Sequence, residues 1–327
     1  MRLIMIEEYN PTTMQLARPI YDRHRRILLA AGRTIHPKYL ERLRQMDIKY
    51  LFVEDIISEG ITMEELVDMP TWMDATETVQ KVFEEVGEGK ELNIVEIQKL
   101  VVKLMDEVSK RKILLIIPST SLASELRPYA HAINVALLSL QLGKKLKLNS
   151  LQMRDLAIGS LLHDIGKVLP GDEHHTVKGF EYLRKNREIS LLSAHVAYQH
   201  HEMYNGKGTP RGIKNGEIHQ YAQICSIADC FENFVSEEGV APHEAMEALM
   251  AKNSIHFDEE LVRLFINTIP SYPPGTKVKI SDGEQAIVTK ITRHMQRPHI
   301  RYLSTHKEIS LADNHRLLIT GIINEKN

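Results

Sequence analysis

The sequence predicts a mainly α-helical protein: an all-helical central domain flanked by a small N-terminal α/β unit and a small C-terminal β-barrel-like domain. Three observations lead there. From Thr62 to Ile269 apolar residues recur mostly at intervals of three and four, the spacing that puts them on one helical face. Short apolar runs divided by turn residues concentrate before Gly60 and after Pro270. The 327 residues are 43% hydrophobic, enough for at least one large core, and the length suggests two or three compact units. We divide the chain into an N-terminal α+β unit at 1–60, a helical connector at 61–119, a helical domain carrying the chemistry at 120–269 and a β domain at 270–327.

In chain order, Ile20-Tyr21 and Ile27-Leu28-Leu29 flank the polar turn Asp22-Arg23-His24-Arg25 and predict a hairpin. Pro37 suits the first turn of a helix that shows Leu40, Leu43 and Met46 on one face, and Tyr50-Leu51-Phe52-Val53 predicts a returning strand. Gly87-Glu88-Gly89-Lys90 breaks the next stretch into two helices. The second carries the stripe Ile94, Ile97, Val101, Leu104 and Val108, either packed on the neighbouring domain or serving as the seam of a homodimer. After Pro270, Val278-Ile280, Ala286-Val288, His299-Leu303 and Leu317-Ile319 read as strands, with Ser281-Asp282-Gly283-Glu284 as a hairpin turn.

The chemistry lies in the helical domain. Leu156, Ile158, Leu161 and Leu162 build an apolar surface that ends in His163-Asp164-Ile165-Gly166-Lys167. A carboxylate amid so much aliphatic surface needs a partner, because an unpaired desolvated charge costs several kcal/mol. A metal ion would serve. Gly166 would let the chain turn at the helix end and bring Lys167 close to whatever His163 and Asp164 bind. His200-His201-Glu202 closes a helical run from Ser190, and successive helical residues point about 100° apart, so one doublet can serve neighbouring ions. Asp229 lies at the edge of the face formed by Ile224, Ile227, Ala228 and Phe231. His131 sits among apolar positions, where a lone histidine is ordinarily a core residue with one hydrogen bond.

Composition narrows the partners. With 41 basic and 43 acidic residues the formal net charge is -2, so no overall field favours nucleic acid or an anionic membrane. The two cysteines, Cys225 and Cys230, have no disulfide-framework or thiolate-metal spacing. The N-terminus turns acidic at Glu7-Glu8 before a signal-peptide core develops, and the run Ile113–Ile117 is too short to span a bilayer, so we expect a cytoplasmic protein.

The order of these motifs resembles the HD-GYP family, a branch of the HD phosphohydrolases whose members commonly hydrolyse cyclic di-GMP in signal transduction. The likeness runs from His131 past Asp229. The family's His-Asp-x-Gly-Lys stands here as His163–Lys167, its His-x-x-x-Gly as His175–Gly179, its His-His-Glu-x-x-Asp-Gly-x-Gly-Tyr-Pro as His200–Pro210, and its Ala-Asp-x-Phe-Asp as Ala228–Glu232. It implies a binuclear metal centre held by His163, Asp164, His175, His200, His201 and Asp229, with Asp164 bridging two divalent first-row ions. Nitrogen and oxygen ligands without thiolate favour iron or manganese. Some members hold a third metal with a glutamate four residues before the position of His131, where this chain has Arg127; its charge would oppose a third cation. His131 is therefore a candidate metal or substrate contact.

The chemistry implied is attack by a metal-bridging hydroxide on phosphorus, opening a cyclic dinucleotide to the linear form, with Asp164 and Lys167 as catalytic groups and Lys167 neutralising a phosphate oxygen. This chain departs from the family pattern at Asn205 and Thr209, which replace its aspartate and tyrosine, and at Gln223, which replaces an arginine. The arginine-rich segment expected after the Asp229 helix is Ser236-Glu237-Glu238-Gly239-Val240-Ala241-Pro242. Lys207 and Arg211 are the candidate substrate contacts that could compensate. The departures leave a second reading, a metal-binding signalling module with weak or lost turnover that binds a nucleotide or a protein partner.

Overall fold

The computed structural model describes residues 1–64, 66–292 and 294–323, and the chain falls into two compact units. Unit 1 gathers Met1–Leu66, Thr120–Arg127 and the segment from Ile269 onward. Its N-terminal part pairs β1 (Arg2–Met5) and β2 (Gln15–Leu16) with β5 (Tyr50–Glu54) in an antiparallel sheet, order β1-β5-β2. The hairpin of β3 (Ile20–Tyr21) and β4 (Ile27–Leu29) and the helix α1 (Pro37–Gln45) form where their turn and periodic residues predict them. Leu43 of α1 meets Ile4, Leu16, Leu51 and Val53 in one core, which fixes the helix on the sheet.

The C-terminal part is a five-stranded antiparallel sheet, with β6 (Lys277–Ile280), β7 (Gln285–Lys290), β8 (His299–Tyr302), β9 (Glu308–Ser310) and β10 (Ile319–Ile322) in the order β10-β6-β7-β8-β9. The barrel-like expectation is not confirmed, because among the described residues the strands do not form a closed sheet. Closure would need β9 to pair with β10, but β9 is three residues long and its hydrogen bonds go to β8, so the sheet stays open. β9 was not read from the sequence, because Ile309 alone gives no alternation. The last strand also begins later than Leu317, which instead packs beside the core of Val278, Ile280, Val288 and Ile300.

Unit 2, Val67–Ser119 and Pro128–Thr268, is helical. Its helices are α2 (Met69–Gly87), α3 (Ile94–Lys110), α4 (Arg127–Lys145, whose first residue belongs to unit 1), α5 (Ser150–Leu161), α6 (His175–Leu183), α7 (Leu191–Gln199), α8 (Gln220–Ser236), α9 (Pro242–Ala251) and α10 (Glu259–Ile266). The stripe on α3 is buried within the chain, against α2 and α5, so its apolar face is not a free dimer seam. α4 is the central element: Ile133, Ala136, Leu137 and Leu140 are fully buried. α7 touches α5, α6 and α8, and the approach to α5 is close because Gly159 lacks a Cβ, which would lie 2.5 Å from Val196 Cγ2. α5 starts with a reciprocal cap in which Asn149 Oδ1 accepts from the backbone of Gln152 and Gln152 Oε1 accepts from that of Asn149. Among the described residues no helix is long and apolar enough to cross a membrane.

One buried amide ties three of these helices together. Asn134 on α4 accepts from Trp72 Nε1 of α2 at 3.2 Å through Oδ1, and its Nδ2 donates to Ile117 O at 2.8 Å and to Glu232 Oε1 of α8 at 3.0 Å. Trp72→Phe removes the indole N–H, strands Asn134 Oδ1 in the core and leaves a small cavity beside it. We expect a loss of about 1–3 kcal/mol in urea unfolding; an unchanged midpoint would remove this bond from the account.

Candidate metal centre

Four separate stretches of unit 2 deliver the chemical groups. His163 and Asp164 follow α5, held by a tight turn at Ile165–Val168; His175 opens α6; His200 and His201 follow α7; Asp229 lies midway along α8. His131 projects from α4 toward the same point. The close approach of α6 to the turn depends on Gly166. A Cβ there would lie 1.9 Å from His175 O. The glycine is therefore required by backbone contact and not, as the sequence suggested, to let the chain turn at a helix end.

The ligand atoms converge. Three overlapping groups, His175 with His200 and His201, His131 with His163 and Asp229, and His163 with Asp164 and His200, each bring their nitrogen and oxygen atoms within 4.8 Å of one another. His163 Nε2 is 3.4 Å from Asp164 Oδ2 and 3.9 Å from Asp229 Oδ1, and Asp164 Oδ1 is 3.3 Å from His175 Nε2 and 3.8 Å from His200 Nε2.

Tautomers follow from the backbone. His163 Nδ1 donates to Ser160 O at 2.8 Å, and His200 Nδ1 donates to Ala197 O at 3.0 Å, since a carbonyl can only accept. Each Nε2 is left with a bare lone pair pointing inward, the arrangement that metal-binding imidazoles use. His163 Nε2 and Asp164 Oδ1 are buried and have no hydrogen-bond partner. Lone pairs facing one another in a dry site repel unless a cation lies between them. These residues thus fit a divalent ion with oxygen and nitrogen preference, at bond lengths of about 2.0–2.2 Å.

The proton affinities agree with that reading. Burial draws the His175 imidazole down to about 4, and burial likewise lowers His200 and His201, so all three are neutral and able to coordinate near pH 7. Burial alone would raise the Asp164 and Asp229 carboxyls. Positive charge beside them reverses this: His163 when protonated, with Lys167, holds Asp164 well below the usual range, and His131 does the same for Asp229. His131 is the exception among the imidazoles. Burial opposes its charge, but Glu232 at 2.5 Å from Nδ1 and Asp229 at 3.1 Å from Nε2 hold it well above the usual value.

The remaining sequence candidates lie in different settings. Lys167 Nζ sits 2.5 Å from Asp164 Oδ2, with its side chain 57% exposed. Lys207 and Arg211 are exposed on the loop after His201, outside the ligand groups; that loop is held by Glu202, whose buried carboxylate accepts from the backbone of Arg211 and Ile213. Arg127 is bound to Asp47, with 2.6 Å between Nη1 and Oδ2, so its guanidinium is committed within unit 1. Two groups went unassigned from sequence. Glu232 is fully buried and orients His131, and Asn233 donates to Asp229 Oδ1 at 2.8 Å. The one available signal was an acid three residues past Asp229, on the same side of a helix.

Residues 129–233 match the sequence model of a family described as HD domain. That stretch is similar to an HD domain. Among its relatives is a cyclic di-GMP phosphodiesterase of Pseudomonas aeruginosa, 28% identical over 183 residues that cover 49% of this chain and 44% of that protein. Another, a cyclic di-GMP phosphodiesterase of Thermotoga maritima, is 31% identical over 130 residues, 34% of this chain and 35% of that one. The chain thus spans less than half the length of these curated relatives. A solved structure described as a HDG"Y"P protein, from Bdellovibrio bacteriovorus, shares the fold with a TM-score of 0.50 at 17% identity, covering 80% of this chain and 97% of that one. The HD-GYP likeness read from the motifs agrees with these relatives, and the three groups fall within the stretch that matches the HD domain model.

Two outcomes follow for this candidate centre. Manganese-loaded protein is expected to keep its metal through gel filtration, Asp164→Asn to lose it by elemental analysis, and Asn233→Ala to bind about 10–100-fold more weakly. Metal retention by Asp164→Asn would contradict the assignment. For pH, His175, His200 and His201 hold fewer protons folded than unfolded below the ordinary value of 6.5, and His175 does so down to about 4. Their stabilisation is present above that range and is lost as the pH falls through it. His131 acts in the opposite sense, complete below 6.5 and lost as the pH climbs through its raised folded value. With three groups against one, the metal-free protein should unfold at lower urea near pH 5 than near pH 7, and His175→Gln should narrow the difference; equal midpoints would argue against neutral, buried imidazoles.

Proposed function

We propose that this HD domain binds two first-row divalent ions, iron or manganese, and hydrolyses cyclic di-GMP or a related cyclic dinucleotide to its linear form. The observation that carries the reading is the pair of buried, partnerless atoms, His163 Nε2 and Asp164 Oδ1, with neutral imidazoles turned toward them. We assign His163, Asp164, His175, His200, His201 and Asp229 as the residues that would hold the ions. The overlap of the three ligand groups at His163 and His200 supports more than one ion. Such ions supply an activated water near neutral pH and draw charge from phosphoryl oxygens.

The chain's own residues do the rest. Asp164 carries no proton at neutral pH, so it offers both oxygens at once. Lys167, whose side chain is mostly exposed, can swing from Asp164 to a nonbridging phosphate oxygen as charge grows there. His131, gripped by Glu232, fixes the direction in which Asp229 points. We assign it to positioning, not to coordination, because both ring nitrogens already face carboxylates.

The test is manganese- or iron-loaded protein given cyclic di-GMP. One cleavage to the linear dinucleotide is expected, abolished by EDTA and restored by metal. Lys167→Ala should keep its metal while kcat falls on the order of 10²-fold. Nucleotide binding without turnover would replace this reading with that of a signalling module, a possibility the substitutions at Asn205, Thr209 and Glu238 keep in play.

A further inference from the structure

A cleft of about 260 Å³ runs from the ligand side chains His200, His201 and Asp229 to Phe234, Lys252 and His256. Lys252 follows α9 and is half-buried, with its ammonium 4.6 Å from the centre of the Phe234 ring and 3.6 Å from Cys230 Sγ. A thiol and a ring face are weak partners for a cation. Two other lysines of this unit are bound to backbone carbonyls: Lys144 donates to those of Val108 and Arg111, and Lys178 to those of Leu169 and Gly171. Among the described residues Lys252 has no ion pair, although Glu238, exposed, also lines the cleft.

The segment bearing Lys252 is fixed relative to the centre. Tyr204 N donates to His256 O at 2.9 Å and Asn205 N to Ile255 O at 3.1 Å, which ties the turn after α9 to the chain leaving His201. The cleft is smaller than the roughly 300–1,000 Å³ that encloses a drug-sized ligand, so it takes one part of a dinucleotide. Its contents are an anion-seeking ammonium, an aromatic face and an imidazole, beside the ligand atoms of the centre.

We propose that Lys252 is the specificity-determining cation of this cleft and binds the phosphate that is not being cleaved, with Phe234 and His256 against the intervening nucleoside. The proposal rests on the reading of the centre as a cyclic dinucleotide phosphodiesterase. It puts the compensating positive charge on the turn after α9, in a chain whose segment after α8 carries Glu237 and Glu238.

The test compares the parent with Lys252→Met, which keeps the stem and removes the charge, and with Lys252→Arg, all loaded with manganese. Substrates are cyclic di-GMP and bis(p-nitrophenyl) phosphate, a diester with a single phosphate. Lys252→Met is expected to lower the ratio of kcat/KM for cyclic di-GMP to that for the simple diester about tenfold, chiefly through KM, and Lys252→Arg to recover most of the loss. Bound manganese should equal the parent's. Calorimetric titration with cyclic di-GMP should show about tenfold weaker binding to Lys252→Met. A ratio and an affinity within twofold of the parent's overturn the role of Lys252, and so does an equal loss on both substrates. A parent that binds cyclic di-GMP without cleaving it overturns the enzymatic reading alone, and the titration then decides for Lys252; a parent that neither binds nor cleaves overturns both.

Discussion

The Asp164 carboxylate is buried, ionised and left with one oxygen that accepts no hydrogen bond, while neutral imidazoles close in on it. Leaving a charge in that state costs several kcal/mol, and the aliphatic floor of Leu161, Leu162 and Ile165 cannot offset it. Lys167 balances only the other oxygen. Such an arrangement fits a cation placed between these atoms.

Much of the helical unit serves to keep that arrangement rigid. α4 passes through the core and carries both His131 and Asn134, and each grips Glu232 on α8. Ser236 donates to the same carboxylate, so Glu232 is fully satisfied and can hold His131 against Asp229. The backbone carbonyls at the ends of α5 and α7 set the histidine tautomers. Glycines at 159 and 166 allow the backbone approaches that bring α5, α6 and α7 to one point. Preorganisation of this kind lowers the reorganisation needed when an ion binds and when charge develops on a phosphate.

Local pattern made much of this legible in the sequence. The α3 stripe, the β3–β4 and β6–β7 hairpins and the helix ends at His163 and His200 all follow from periodicity or turn chemistry. What escaped depends on residues distant in sequence. Glu232 lies 101 residues from His131, and no spacing rule links them. Arg127 was read by its charge alone, whereas its partner Asp47 lies 80 residues away. Gly166 looked like a turn residue because sequence shows a missing side chain but not the carbonyl that fills its place. The open sheet was read as barrel-like because alternation marks strands without saying whether the first and last of them meet. Lys252 carries no motif, and its position becomes informative only beside Phe234, Cys230 and the ligand atoms.

The most direct measurement is an anomalous-difference map from crystals of manganese-loaded protein. The account predicts density at coordination distance, about 2.0–2.2 Å, from His163 Nε2 and Asp164 Oδ1, with Asp229 and His200 in the same shell. A map with no peak between those atoms, in crystals that hold manganese elsewhere, would contradict it.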